Sequence, residues 1–212
     1  MKKIIIILCF FLTNSLLISQ ESMLVFGLNR AILEGDDIDD LDDVDILNDA
    51  YSIGFETNNS SSTVGWTYTR RGMSYEYDYI DTEIDAKYDY VTIYFLYPLS
   101  KVKVFSDIGV SILAGAEIGY FLKGEMDIDD CNDYQTTDEY GNTDSLCDDL
   151  NMNHEDWDNA DGNFIDFGPL IAMRYSLEKI SLTVSYYYGI PELWDDFEGY
   201  HRGYKFSIGF GI

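Results

Sequence analysis

Seven charged residues stand at alternate positions within otherwise apolar stretches: Glu56, Arg71, Asp107, Glu117, Asp166, Arg174 and Lys205. Four are acids and three are bases, so they would nearly neutralise one another if they shared an interior. A buried charge without a partner is strongly disfavoured. The set therefore reads as a structural ion-pair network or, with looser pairing, as a proton or ion path. Nucleophilic chemistry has little to draw on. The two histidines, His154 and His201, both fall in polar stretches expected to be loops. Neither has a serine beside it in a recognisable nucleophile and base arrangement.

The acidic segments raise cation binding. Asp156, Asp158 and Asp161, in the run Asp-Trp-Asp-Asn-Ala-Asp-Gly, supply several oxygens and a turn glycine. They lack the alternate acids just before the glycine that a helix-loop-helix calcium site requires. Asp127-Ile-Asp-Asp130 is no closer to that pattern. Weak divalent binding by crowded like charges is the most this supports, and no other cofactor is expected. Cys131 and Cys147 share one acidic stretch; in an oxidising compartment they are candidates for a disulfide. Zinc-like His or Cys partners are missing around them.

The elements that would position these groups follow from periodicity. In Val102 to Lys123 every charge lies at an odd number, whereas Ile108, Val110, Ile112, Ala114, Ala116, Ile118, Tyr120 and Leu122 make an even apolar face. A helix would wrap Glu117 and the lysines around its surface; a strand puts them on one side. Gly115 and Gly119 match the spacing of packed membrane helices by accident; on a strand they leave room for neighbouring inward side chains. Similar alternation predicts strands over Met23 to Ile32, Tyr51 to Glu56, Thr63 to Tyr77, Tyr88 to Tyr97, Ile165 to Leu177, Ile180 to Tyr188 and Tyr204 to Ile212. The third slips phase near Arg70, Arg71 and Gly72, which predicts a β-bulge at Gly72. Pro169 is tolerable in mid-strand only where one donor can be lost.

Eight strands leave seven connections that alternate between long and short, with tight turns expected at Asn58 to Ser61, Pro98 to Lys101 and Ser176 to Lys179. The four longer connections, over 36–49, 78–86, 125–163 and 190–203, hold 30 of the 39 acidic residues. This is the pattern of an antiparallel outer-membrane barrel, with tight turns in the periplasm and long loops outside. The fold class is thus all-β: an eight-stranded antiparallel transmembrane barrel with long acidic extracellular loops. Residues 1–19 read as a secretory signal peptide, with Lys2 and Lys3 before an apolar run over Ile4 to Phe11 and Ser19 near the cut. Residues 20–212 form the barrel domain. Without Lys2 and Lys3, 11 basic residues face 39 acidic ones, a net charge of −28. That repels nucleic acid and anionic surfaces in general.

At this point the chain resembles the PorT-like outer-membrane barrel family, with OmpX- and OmpA-like architecture. The matching places are Tyr68-Thr-Arg-Arg-Gly72, Tyr90-Val-Thr-Ile93, Ala114-Gly-Ala-Glu-Ile-Gly-Tyr120, Asp166-Phe-Gly168 and Tyr188-Gly-Ile190. The chain departs from barrels that finish on Phe or Trp, ending instead on Ile212 with Phe210 two places earlier. The resemblance implies an outer-membrane location in a Gram-negative bacterium and, as one alternative role, association with a secretion apparatus.

A barrel of eight strands is just wide enough for side chains to fill it, so the charged set is expected to plug the lumen. Tyr51, Tyr75, Tyr77, Tyr88, Tyr186, Tyr188, Trp194, Tyr200 and Tyr204 are expected to form interfacial girdles. Trp157 and Trp194 are candidates for sugar contact from loops. The functional expectation is a non-enzymatic, monomeric barrel in contact with outer-membrane lipid, whose acidic loops serve an unidentified surface or envelope partner or envelope integrity. A lipid-modifying barrel enzyme is the alternative. Protease added to intact cells should cut within Glu125 to Asn163; protection of that stretch would reverse the topology.

Overall fold

The computed structural model describes residues 21–34, 44–45, 50–59, 61–77, 82–100, 109–129, 135–137, 143–145, 150–152, 162–194 and 197–212. Asp107, the Cys131 and Cys147 pair, His154, Asp156, Trp157, Asp158, Asp161 and the leader over 1–19 all lie outside the described residues.

Twelve strands are described: β1 (Glu21–Glu34), β2 (Val44–Asp45), β3 (Tyr51–Asn58), β4 (Thr63–Tyr77), β5 (Thr82–Ser100), β6 (Val110–Asp129), β7 (Gln135–Thr137), β8 (Thr143–Ser145), β9 (Leu150–Met152), β10 (Ile165–Leu177), β11 (Ile180–Trp194) and β12 (Phe197–Gly211). Eight of them pair antiparallel in the order β10-β11-β12-β1-β3-β4-β5-β6, and β6 then pairs with β10 from Tyr120 opposite Ile165 to Val110 opposite Tyr175. The sheet is therefore a closed barrel with no free edge among these strands. Two short strands add to its rim, β2 on β4 and β9 on β6, and β7 pairs with β8 separately.

Period-two patterning determines which side each residue meets. Along β10, Ile165, Phe167, Ile171 and Met173 are exposed while Asp166, Gly168, Leu170, Ala172 and Arg174 are buried. The same inversion runs around the wall: apolar side chains outward, polar ones inward. Leu28 is 66% exposed, Ile118 52% and Phe206 50%, exposure that suits lipid and not water.

Two short turns join strands at the end where β1 starts at Glu21 and β12 stops at Gly211, hereafter the turn end. The Asn59 side chain accepts from the backbone N–H of Ser61 at 2.9 Å and of Ser62 at 2.7 Å, an Asx turn between β3 and β4. Glu178, at φ 40°, makes the two-residue turn between β10 and β11. Chain 82–100 and 109–129 departs from the sequence expectation at this end. β5 runs through Pro98, opposite Leu113, to Ser100, with a register shift between them. Pro98 therefore lies in an irregular strand end and does not turn the chain. The next strand starts at Val110, and 101–108 lies outside the described residues.

The expected bulge at Gly72 is absent. Pairing of β4 with β5 is continuous from Thr63 opposite Leu96 to Tyr77 opposite Thr82. Met73 is buried, on the same inward alternation as Arg71; it packs beyond the lipid belt, where the apolar side need not face out. The shift instead falls on β6, where Asp89 pairs with Lys123 but Tyr90 with Phe121, leaving Leu122 as the extra residue. Lys123 consequently turns outward, away from the face that carries Glu117. Pro169 sits just before Leu170, where the ladder to β11 begins, so no bulge is needed there.

At the other end the wall is taller than periodicity implied. β5 starts at Thr82, β6 reaches Asp129, and β11 and β12 continue to Trp194 and Phe197, so 190–203 is largely strand and not loop. The 20 residues of β6 span about 66 Å along the strand, whereas 9 to 11 tilted residues cross a bilayer. The wall thus projects well beyond the apolar belt at what we call the raised end.

Gly115 and Gly119 serve different purposes. A Cβ on Gly119 would lie 3.2 Å from the Tyr90 ring, so this glycine makes room for an inward tyrosine. A Cβ on Gly115 would lie 1.7 Å from the Phe95 carbonyl oxygen, so here the backbones themselves approach. Gly115→Ala should therefore lower the urea midpoint of the folded barrel far more than Gly119→Ala; equal effects would contradict this assignment.

Candidate functional site: a charge-filled lumen

The interior splits into two polar layers. Near the turn end, Arg174 of β10 reaches across to β3, where its Nη2 donates to Glu56 Oε2 at 2.6 Å. Its Nη1 donates to Asn58 Oδ1 at 2.9 Å and to Thr63 Oγ1 at 3.2 Å, and its Nε to Thr183 Oγ1 at 3.0 Å. Glu56 also accepts from Tyr94 Oη at 2.9 Å and from Asn58 Nδ2 at 2.8 Å. Both ionised groups are buried, and each has several charge-assisted bonds, which is what burial of an ion pair demands.

Toward the raised end, Arg71 of β4 forks between two carboxylates, donating through Nη2 to Glu117 of β6 and through Nη1 to Asp166 of β10. Its guanidinium lies 4.4 Å from the Tyr187 ring centre and 5.3 Å from that of Tyr90. Asp166 accepts from Tyr187 Oη at 2.7 Å and stands 3.3 Å from His201 Nδ1. Between the layers lie Thr67, Thr69 and Thr92, joined by hydroxyl contacts of 2.7 to 3.2 Å. Lys205 points its Nζ at Thr67 Oγ1, 3.5 Å away, and at the Tyr94 ring, 5.4 Å away.

The structure thus brings Glu56 to Arg174 and Arg71 to both Glu117 and Asp166, and places Lys205 between these groups. Sequence periodicity missed His201, Tyr187, Tyr90, Tyr94 and Asn58. His201, expected in a loop, is 3% exposed and inward on β12. Extending the alternation of Lys205 backward through Gly203 would have found it. Tyr88, expected in an interfacial girdle, is fully buried, with its ring 5.7 Å from that of His201. Tyr51, Tyr188 and Tyr204 do face outward, whereas the side chains of Tyr75, Tyr77 and Trp194 lie outside the described residues.

The lumen has little space. A cavity of about 30 Å³ beside Arg71, Glu117, Tyr187, His201 and Lys205 is the size of one water. A vestibule of about 240 Å³ opens at the turn end and is lined in part by Asn58, Thr63 and Arg174. Among the described residues no group of three His, Cys, Asp or Glu is arranged to hold a metal ion.

A closed antiparallel wall, apolar outside and ionic inside, decides the class. The fold is that of an outer-membrane β-barrel. Neisserial surface protein A is similar at a TM-score of 0.55 and 11% identity, over 90% of this chain and 97% of that one. Ail, the attachment invasion locus protein of Yersinia pestis, crystallised with a heparin analogue, aligns at 0.45 and 16% identity over 91% of this chain and 98% of its own. The N-terminal barrel domain of Pseudomonas aeruginosa OprF aligns at 0.36 and 9% identity over 92% and 99%. No protein-family model and no curated protein matches the sequence.

Arg174→Ala would strand the Glu56 carboxylate in a closed interior, a loss of about 3 to 5 kcal/mol by analogy with broken buried pairs. The variant should lose its heat-resistant fast migration on gels at a clearly lower temperature than the parent. Unchanged melting would show that the pair is dispensable.

Proposed function

We propose that this chain is a non-enzymatic barrel of a Gram-negative outer membrane, exported by its leader, whose raised acidic end meets a surface or envelope partner or supports envelope integrity. The observation that carries the reading is the ionic plug: Arg71 and Arg174, with their carboxylate and hydroxyl partners, occupy both layers of the lumen. Such an interior stiffens a wall and leaves no open channel. The raised end is taken to face the exterior and the turn end the periplasm, because the short turns, the start of β1 and the end of β12 share one side, as in barrels of this class. We read the folded unit as a monomer, because the closed sheet leaves no barrel edge for a second copy to pair with.

The alternative of a lipid-modifying enzyme finds less support. His201, with Asp166 beside it, faces the plugged interior, out of reach of a membrane lipid, and the rings packed on it are those of Tyr88 and Tyr90. Membership of the PorT-like family, and with it a place beside a secretion apparatus, remains part of the proposal and rests on the short matches at Tyr68 to Gly72 and Ala114 to Tyr120. Mass spectrometry of lipid A from cells making the protein should show the same acylation as cells lacking it. A gained or lost acyl chain would make it an enzyme. Crosslinked pull-downs that recover secretion components in place of lipoproteins or other envelope proteins would move the role to secretion.

A further inference from the structure

Asp166 and His201 stand where the barrel wall changes character. The ladder between β10 and β11 starts at Leu170 opposite Tyr187, so Ile165 to Pro169 lie beyond it toward the raised end. From the same level upward β11 and β12 pair irregularly, with register shifts after Tyr188 opposite Arg202 and after Glu192 opposite Tyr200. On its other side the raised β11–β12 hairpin keeps a ladder, β12 pairing with β1 as far as Glu34 opposite Tyr200. Toward β10, side chains take the place of the ladder. Asp166 accepts from Tyr187 Oη at 2.7 Å and faces His201 Nδ1 at 3.3 Å, and Asn163 Nδ2 donates to the Glu192 carbonyl at 2.8 Å. A Cβ on Gly189 would lie 2.5 Å from the His201 carbonyl oxygen and 3.1 Å from Asp166 Oδ1, so this glycine lets the β11 backbone close over the pair.

We propose that Asp166 and His201 form an acid-released latch: neutral His201 holds the raised β11–β12 hairpin to β10, and a proton on His201 loosens it. The surroundings of the ring decide the direction. From β4 comes Arg71, which donates to the same Asp166 oxygen that faces Nδ1, and from β6 Glu117, bound to that arginine. β5 supplies the rings of Tyr88 and Tyr90 at 5.7 and 5.5 Å, β11 supplies Tyr187, and β1 lines the adjoining cavity with uncharged Asn29. On β12 itself, Lys205 lines that cavity and Arg202 lies 3.7 Å from the Tyr188 ring. Three cations in the lumen, Arg71, Arg174 and Lys205, balance the carboxylates of Glu56, Glu117 and Asp166. A proton on His201 would add an excess positive charge to a ring only 3% exposed. Asp166 gives it little relief, because Arg71 already occupies that oxygen and repels an imidazolium. Among the described residues Nε2 has no hydrogen-bond partner, so its new N–H would also lack an acceptor. Release lets the ring keep its proton in water. A hydrated imidazole is protonated below about pH 6.5, so the latch is closed above that pH and weakens as pH falls below it.

The test is amide hydrogen exchange read by mass spectrometry on the full chain refolded in neutral detergent, at pH 7.5 and pH 5.0, with rates corrected for the intrinsic effect of pH. Protection over 188–203 should fall about fivefold or more in acid, while 63–77 and 205–211 hold within about twofold. His154→Asn, which removes the other histidine, should keep this response. His201→Asn keeps an N–H near the place of Nδ1 but takes no proton, so its protection over 188–203 should change by less than about twofold between the two pH values. Unchanged protection in the parent, the same acid loss in His201→Asn, or a loss spread evenly over the barrel overturns the latch. Should His201→Asn fail to fold, the His201 ring signals of the His154→Asn protein are followed by NMR through the same pH range. They should move together with the loss of protection over 188–203; a ring that titrates while protection holds, or protection lost while the ring stays neutral, overturns the latch equally.

Discussion

A guanidinium enclosed by a protein wall must find its counter-charge inside that wall, and this requirement at Arg71 organises the barrel. One side chain on β4 engages Glu117 on β6 and Asp166 on β10, and Asp166 in turn receives Tyr187 from β11 and stands beside His201 of β12. Five strands are thereby tied at one level, across the lumen and not only along the ladders. At the lower level Arg174 and Glu56 link β10 to β3, with Tyr94 on β5, Thr63 on β4 and Thr183 on β11 completing the set. A slip of one residue in β3, β4, β6 or β10 would turn a charge toward lipid. The plug therefore specifies register as well as filling space.

The same logic explains the two ends. Inside the belt, polar groups must point in; beyond it, the outer face meets water in place of lipid and the rule relaxes. Asp89 can then lie on the outer side with Arg70 and Lys123, and Met73 can lie inside. Asp89 is itself buried, 2% exposed, between Arg70 and Lys123, so its charge is kept only with these partners. Lys87 with Asp85 and Asp127 continues the outer charge pattern higher up.

Sequence periodicity was enough for the strand count, the closed antiparallel class and the inward phase of Glu56, Glu117, Asp166 and Arg174, because the lipid belt enforces strict alternation. It failed where that enforcement stops. Above the belt, strands β5, β6, β11 and β12 continue through acidic residues that read as loop, so Tyr88 and His201 were misplaced. The phase change was visible but assigned to Gly72, since a glycine is the usual mark of a bulge. The actual extra residue is Leu122, whose apolar side chain fits either face and so gives no warning. Partners such as Asn58 and Tyr94 were also illegible, because neutral polar residues carry no sign that would match them to a charge across the barrel.

If the two ionic layers close the lumen, the purified folded protein reconstituted in a planar bilayer should pass no discrete current steps above the bare membrane across moderate voltages. Sustained steps of the size given by a water-filled pore would show that the arginine layers do not plug the barrel, and would contradict the account at its centre.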